Sequence, residues 1–249
     1  MMKFLVAEDD PFHRSFLNST LRSAIEDCEE VYEADDGEEA MNVIARHSVN
    51  GIIMDLQMPN VNGVETARII WRNHPDMRIL FWSNYADEAY VRGISRIVPT
   101  GAVYGYLLKT ASVDRLELAI RGVFREDQCI IDREVRGVQQ RTENNREGLS
   151  DSEFEVLVDI ALGMTDKAIA ARRKISTRGV QSRLKHLYDK LGIDQSVSLA
   201  GHGPVYNSRT RAVAIAISRG LLNSDGLAAG ENELDLWLDY SNNRQSESQ

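Results

Sequence analysis

From residue 3 to residue 124 the chain alternates short apolar runs with longer stretches in which apolar side chains recur every three or four positions. Runs at 4–7, 30–34, 51–54, 78–82 and 104–108 read as strands, and the intervals between them as helices. The stretch 63–73 shows the pattern well. Val64, Ala67, Ile70 and Trp71 fall on one side of a helix and Glu65, Arg68 and Arg72 on the other. Repeated strand-helix units imply a parallel sheet covered on both faces, a doubly wound α/β domain over residues 1–125, with its last helix near 112–124.

The pattern changes after residue 125. Residues 126–148 are polar, most of all from Gln139 to Gly148, and read as a linker, with room at its start for a helical extension of the first domain. A capping box, Ser150-Asp151-Ser152-Glu153, then opens a helix carrying Phe154, Leu157, Val158 and Ala161 until Gly163 stops it. Thr165 can cap a second helix with Ile169 and Ala170 inward. Lys174-Ile175 makes a turn, and Ser176 can cap a third helix running to Gly192. Val180, Leu184, Leu187 and Leu191 share one face of that third helix, which turns Arg178, Gln181, Ser182 and Lys185 to solvent. This is an all-α helix-turn-helix domain over 149–222, completed by a long connection at 193–208 and a helix at 209–222. In the tail, residues 223–249, Leu234, Trp237 and Leu238 can line one side of a short helix whose other side is acidic. Such a tail docks on a basic surface and competes with its ligand, binds a partner, or stays a frayed solubilising end.

Composition adds charge segregation to this picture. The chain carries a net charge of -9 over 249 residues. Residues 1–125 carry -6, 126–148 carry -2 and 223–249 carry -5, whereas 149–222 carry +4. A polyanion therefore has one place to bind, the helix-turn-helix block. No apolar stretch is long enough to cross a bilayer, and the N-terminus turns acidic at Glu8 before a secretory segment can form, so a cytoplasmic protein without membrane contact is expected. Cys28 and Cys129 are isolated and read as free thiols.

The candidate chemistry lies where the predicted strands end. Glu8 and Asp9 follow the first, Asp55 the third, Ser83 the fourth and Lys109 the fifth, and in an open parallel sheet these ends converge on one crevice. A single acid after a strand is commonly a helix cap. Three of them meeting an amine are better explained by a site. Carboxylates crowded together need a cation, and hard oxygen donors suit Mg²⁺. Asp55 is then both ligand and nucleophile toward a phosphoryl group, with Lys109 neutralising charge and Ser83 hydrogen-bonding the transferred group. Asp10 reads as a neighbour outside the metal's contacts, and Pro59 and Gly63 as residues that shape the loop after Asp55.

The segments Val6-Ala7-Glu8-Asp9-Asp10-Pro11, Ile53-Met54-Asp55-Leu56-Gln57-Met58-Pro59, Ser83 and Gly105-Tyr106-Leu107-Leu108-Lys109 resemble the CheY-like receiver domains of response regulators. That resemblance implies a phosphoaspartate at Asp55 and Mg²⁺ held by Glu8 or Asp9, Asp55 and the Gln57 carbonyl. It also implies a switch in which Ser83 moves toward the phosphoryl group and Tyr106 turns inward. The stretch Ile97 to Tyr104 is a few residues longer than the family's usual one, which reshapes the switch surface. Leu149-Ser150, Glu155-Val156-Leu157, Gly163 to Ala170, Val180 and Lys190-Leu191-Gly192 resemble the LuxR-type helix-turn-helix. Together the two halves resemble a NarL/FixJ-class response regulator, with Gly179, Gln181 and Arg183 departing from the family pattern.

The resemblance implies phosphorylation by a partner histidine kinase, binding to promoter DNA and a homodimer at least in the active state. Arg178, Gln181, Ser182 and Lys185 are the expected groove contacts. Arg183, Lys190, Arg172, Arg173 and Lys174 are expected to contact the DNA backbone. Two rival functions remain at this stage. One is a regulator that sequesters a protein and seldom touches DNA. The other is an aspartyl-phosphate phosphatase, disfavoured because Gln57 stands where a second acid is needed; the chain is expected not to be a turnover enzyme.

Overall fold

The last four residues of β1 (Met2–Ala7) and all four of β3 (Gly51–Met54) are buried, as strands covered on both faces must be. In the computed structural model, which describes residues 1–143, 148–199 and 203–246, these strands lie side by side in the interior of a parallel sheet. It is completed by β2 (Cys28–Ala34), β4 (Arg78–Ser83), β5 (Tyr104–Leu108) and the short β6 (Ile130–Ile131), in the order β2-β1-β3-β4-β5-β6. Five helices, α1 (Pro11–Ala24), α2 (Gly37–Arg46), α3 (Gly63–Asn73), α4 (Glu88–Ile97) and α5 (Val113–Arg125), connect the first strands. Asp10, Asp36, Asn62 and Ser112 cap α1, α2, α3 and α5 with their side chains.

Two apolar layers result. Leu17 and Leu21 of α1 and Leu116 and Ile120 of α5 cover one face of the sheet, while Ala67 and Ile70 of α3 and Ile94 of α4 cover the other. Each fully buried Leu, Ile or Phe contributes about 1.5–3 kcal/mol relative to its exposed state, so these layers outweigh any single polar contact.

The polar stretch 126–148 is not wholly a linker. Ile130 and Ile131 pair in parallel with Gly105 and Tyr106, and Asp132 donates its N–H to the Tyr106 carbonyl at 2.8 Å. The next helix, α6 (Arg133–Glu143), buries Val135 and Val138 in the same core as Tyr106. Two isoleucines and two valines spaced by three suffice to dock a segment whose average composition is that of a linker. Residues 144–147 lie outside the described residues.

The chain folds as two compact units, Met1–Ala86 with Tyr90–Val138, and Asp87–Ala89 with Gln139–Gln249. The second is helical. Its core is made by α7 (Asp151–Ala161), α8 (Asp166–Arg172), α9 (Thr177–Leu191) and α10 (Ser208–Ser218). Ser150 and Glu153 form the reciprocal capping box, Thr165 and Ser176 cap α8 and α9, and Gly192 ends α9 in the left-handed region at φ 73°. The connection expected at 193–208 contains a small antiparallel pair, β7 (Ser198–Leu199) with β8 (Gly203–Pro204); residues 200–202 lie outside the described residues.

The tail is a 23-residue helix, α11 (Ser224–Ser246), rather than a short one. Leu227, Leu234 and Trp237 pack on the core of the second unit, while Leu238 stays exposed. Glu233 reaches Arg172 at 3.5 Å. Deleting 224–249 should therefore destabilise the second unit by roughly 2–4 kcal/mol, the value of three partly buried side chains. Urea unfolding of the truncated and full chains measures it, and superimposable curves would count against any structural part for α11.

Candidate functional site

The sheet register assembles the first site. Ala7 pairs with Met54, and Ser83 with Leu108, so the residues that follow β1, β3 and β5 emerge together with Ser83. Backbone hydrogen bonds extend this order past the strand ends. Glu8 donates its N–H to Ala34, Asp55 to Ala7 and Lys109 to Ser83, at 3.0, 2.9 and 2.8 Å.

Glu8 is fully buried, Asp55 nearly so, and Asp9 is exposed at the mouth; one carboxylate oxygen of each lies within 4.8 Å of the others. The Lys109 ammonium donates to Asp55 Oδ2 and to Glu8 Oε1, both at 2.9 Å. Leu56 and Gln57 donate their N–H groups to Asp55 Oδ1, at 2.6 and 3.3 Å. Burial pushes the Glu8 carboxyl above its usual range, Lys109 pulls it back and the charge of Asp55 raises it further. For Lys109, burial works against the ammonium, but the bond to Glu8 and the charge of Asp55 outweigh it, and its pKa is raised.

Three carboxylates facing one ammonium leave an excess of negative charge that a hard divalent cation would neutralise. Glu8 Oε2 supports the same fit: it is buried and accepts no aligned hydrogen bond, although the Lys109 ammonium is 2.8 Å away. The donors are all carboxylate oxygens, the set that suits Mg²⁺. Asp10, by contrast, uses Oδ1 to cap α1 through the N–H groups of Phe12 and His13.

Ser83 is buried at the end of β4, and its Oγ accepts from the Tyr85 N–H at 3.4 Å. Tyr106 is also buried, with its hydroxyl donating to the Tyr85 carbonyl at 2.6 Å. Ser83 and Tyr106 thus share one backbone residue as partner. Two residues of this site escaped the sequence reading. Trp82 brings its ring to 5.0 Å from the Lys109 ammonium, and His13 brings Nδ1 to 3.4 Å from both that ammonium and Glu8 Oε1. Their only signal was register, since Trp82 precedes Ser83 and His13 stands one turn into the helix that Asp10 caps.

The second candidate site is the outer face of α9. Val180, Leu184, Leu187 and Leu191 are buried, and Arg178, Gln181, Ser182 and Lys185 are exposed together on the opposite side, with Arg183 half-buried beside Gly179. Lys190 is not among them. Its ammonium donates to Glu153 Oε2 at 2.8 Å and to the Gly148 carbonyl at 2.9 Å, which ties the end of α9 to the start of α7. Burial raises the Glu153 carboxyl, but Lys190 and the Ser150 N–H outweigh it and hold the group below its usual range.

Arg172 and Arg173, expected on the DNA backbone, are also engaged within the domain. Both bind the fully buried Asp159 of α7, Arg173 through Nε at 2.7 Å and Arg172 at 3.1 Å. Asp159 stands in an apolar helix face, which is why sequence periodicity passed over it. Lys174 sits in the turn between α8 and α9 at φ 54° and is exposed.

Residues 4–121 match the family described as response regulator receiver domain, and residues 147–202 the one described as bacterial regulatory proteins, luxR family. The transcriptional regulatory protein YdfI of Bacillus subtilis is 34% identical over 199 residues, 78% of this chain and 85% of that protein. The oxygen regulatory protein NreC of Staphylococcus carnosus is 30% identical over 210 residues, 80% of this chain and 94% of that protein. Among solved structures, RcsB of Salmonella enterica serovar Typhimurium bound to promoter rprA with the phosphomimetic BeF3- is similar in fold, with a TM-score of 0.58 and 20% identity over 86% of this chain and 98% of that one. A structure of two RcsB dimers on two parallel DNAs gives a TM-score of 0.57 and 22% identity over 78% and 92%.

Proposed function

Since the chain belongs to the NarL/FixJ-class response regulators, which join a receiver domain to a LuxR-type DNA-binding domain, we propose that Asp55 is its phosphate acceptor and the outer face of α9 its DNA-reading surface. The protein is a two-component response regulator that acts on transcription by binding DNA. The observation that carries the Asp55 assignment is the Lys109 ammonium, held at 2.9 Å from a nearly buried Asp55 carboxylate.

A partner histidine kinase supplies the phosphoryl group. An Asp55 carboxylate oxygen attacks phosphorus, the bond from phosphorus to the kinase imidazole breaks, and the imidazole keeps the electron pair and takes up a proton. Lys109 meets the negative oxygens of the arriving group, and Ser83 donates its hydroxyl to one of them. Glu8, Asp9 and Asp55, with the Gln57 carbonyl, would hold Mg²⁺, which supplies neutralisation of phosphoryl charge when bound. Tyr106, buried behind Ser83, follows any movement of the Tyr85 backbone that it grips. In the second unit, Arg178 and Lys185 pair with guanine or phosphate and Gln181 with adenine, with Ser182 and Arg183 beside them. Two chains acting as a dimer would place two such faces on one promoter.

The test is incubation of the full chain with acetyl phosphate and Mg²⁺, followed by mass spectrometry and by capture of genomic DNA fragments. One phosphoryl group should appear at Asp55 and vanish in Asp55→Ala. The captured set should be enriched over that of Asp55→Ala, with binding that weakens steeply as salt rises. An adduct that persists in Asp55→Ala would remove the assignment. Retention that is insensitive to salt would instead favour a regulator acting through a protein partner.

A further inference from the structure

We propose that Trp82 is a positioning residue for Lys109, holding the ammonium within the site by the face of its indole while phosphate is taken up at Asp55. The inference rests on Asp55 being the acceptor. The Lys109 side chain is 5% exposed and its ammonium lies 5.0 Å from the Trp82 ring centroid, within the range of a cation-π attraction that burial strengthens. Trp82 is itself buried and braced. Phe16 of α1 stacks against it at 5.9 Å, and the His13 ring meets it edge to face at 5.3 Å.

The chemistry explains why such a wall is useful. Before transfer, Lys109 donates to both Glu8 and Asp55. When an Asp55 oxygen attacks the phosphorus of acetyl phosphate, the bond from phosphorus to the acyl oxygen breaks and acetate leaves with that electron pair. The aspartyl oxygen loses its charge and three phosphoryl oxygens bring new charge. Lys109 must then exchange one acceptor for another on a flexible four-carbon stem, while buried Glu8 still attracts it. A hydrogen bond fixes one acceptor and one direction, but an aromatic face attracts a cation with little regard to either. Trp82 therefore keeps the ammonium near the site through the exchange without competing for the phosphoryl oxygens.

The full chain tests this with Trp82→Phe, which keeps a ring face, and Trp82→Met, which fills the space without one. With acetyl phosphate and Mg²⁺, Trp82→Met should form the Asp55 adduct roughly three- to tenfold more slowly, and Trp82→Phe should recover most of the rate. Equal rates in all three proteins, or equal losses in both variants, would overturn the proposal. A second reading needs no ringless variant. Beryllofluoride and Mg²⁺ should change the tryptophan emission of the wild type, and the change should vanish in Trp82→Phe, which retains Trp71 and Trp237. Persistence of the change in Trp82→Phe would also overturn it. A wild-type chain that takes no phosphoryl group at Asp55 would remove the acceptor assignment and this inference together, whereas normal uptake at a rate indifferent to Trp82 would remove this inference alone.

Discussion

Replacing Asp159 by alanine should unfold the DNA-binding half of the chain, or leave it marginal, while the receiver still accepts phosphate. Asp159 has no exposed surface and receives Arg173 Nε at 2.7 Å, a second Arg173 nitrogen at 2.9 Å and Arg172 at 3.1 Å. The Arg172 side chain is itself only 6% exposed. Burial disfavours the Arg173 guanidinium, and Asp159 more than compensates for it. Without that carboxylate two guanidinium groups are left in a poorly solvated pocket, and breaking a buried ion pair from one side costs about 3–5 kcal/mol. Whole domains are stable by only about 5–15 kcal/mol. Asp159→Asn keeps the shape and part of the hydrogen bonding, so its loss should be smaller. In urea, Asp159→Ala should show the helical unit unfolding early, with DNA retention gone and the Asp55 adduct intact. A melting profile like that of the wild type would defeat the argument.

The same cluster explains where sequence reading succeeded and where it stopped. Four of the receiver's strands were legible because an interior parallel strand must be an unbroken apolar run, and 51–54 and 104–108 coincide with β3 and β5. The crevice was legible because strand ends are legible. Glu8, Asp55, Ser83 and Lys109 converge by register alone, with no information about side-chain conformation. The roles of individual cations were not legible. Lys190, Arg172 and Arg173 count equally toward a basic segment whether they face a phosphate or an internal carboxylate, and only packing reveals that Glu153 and Asp159 already hold them. Of the cations expected on DNA, Arg178 and Lys185 on α9 and Lys174 in the turn are the ones left exposed. β6 and the docking of α6 were hidden for the opposite reason. Their four apolar residues are too few to lift the average of a polar stretch, yet each finds a ready-made groove at the edge of the sheet.

Gly63→Ala should disable the phosphate site through the backbone, without removing any group that touches phosphate. Gly63 opens α3, and its N–H donates to the Leu56 carbonyl at 3.0 Å, which draws the helix start against the strand that carries Asp55. A methyl group there would lie 2.1 Å from the Asp55 carbonyl oxygen and 2.9 Å from Leu56 Cα. Both are backbone atoms, so no side chain can swing aside, and either α3 or the Asp55 backbone must move. Overpacking of this kind costs about 1–3 kcal/mol or more. The kinetic effect should be larger than the thermodynamic one, because a misplacement of about 1 Å can cost on the order of 100-fold in rate where geometry does the work. Asp55 must stay within 2.9 Å of Lys109 while presenting its other oxygen to Leu56 and Gln57, and a displaced backbone cannot satisfy both. Gly93→Ala is the control. Its added carbon would meet only the Val64 side chain, Cγ1 at 3.2 Å and Cγ2 at 3.8 Å, which can yield, and alanine favours the helix that Gly93 occupies. Adduct formation with acetyl phosphate should therefore fall about 100-fold in Gly63→Ala and stay near the wild-type rate in Gly93→Ala. If the two glycines behaved alike, the close approach of α3 to the Asp55 backbone would not be what holds the acceptor in place.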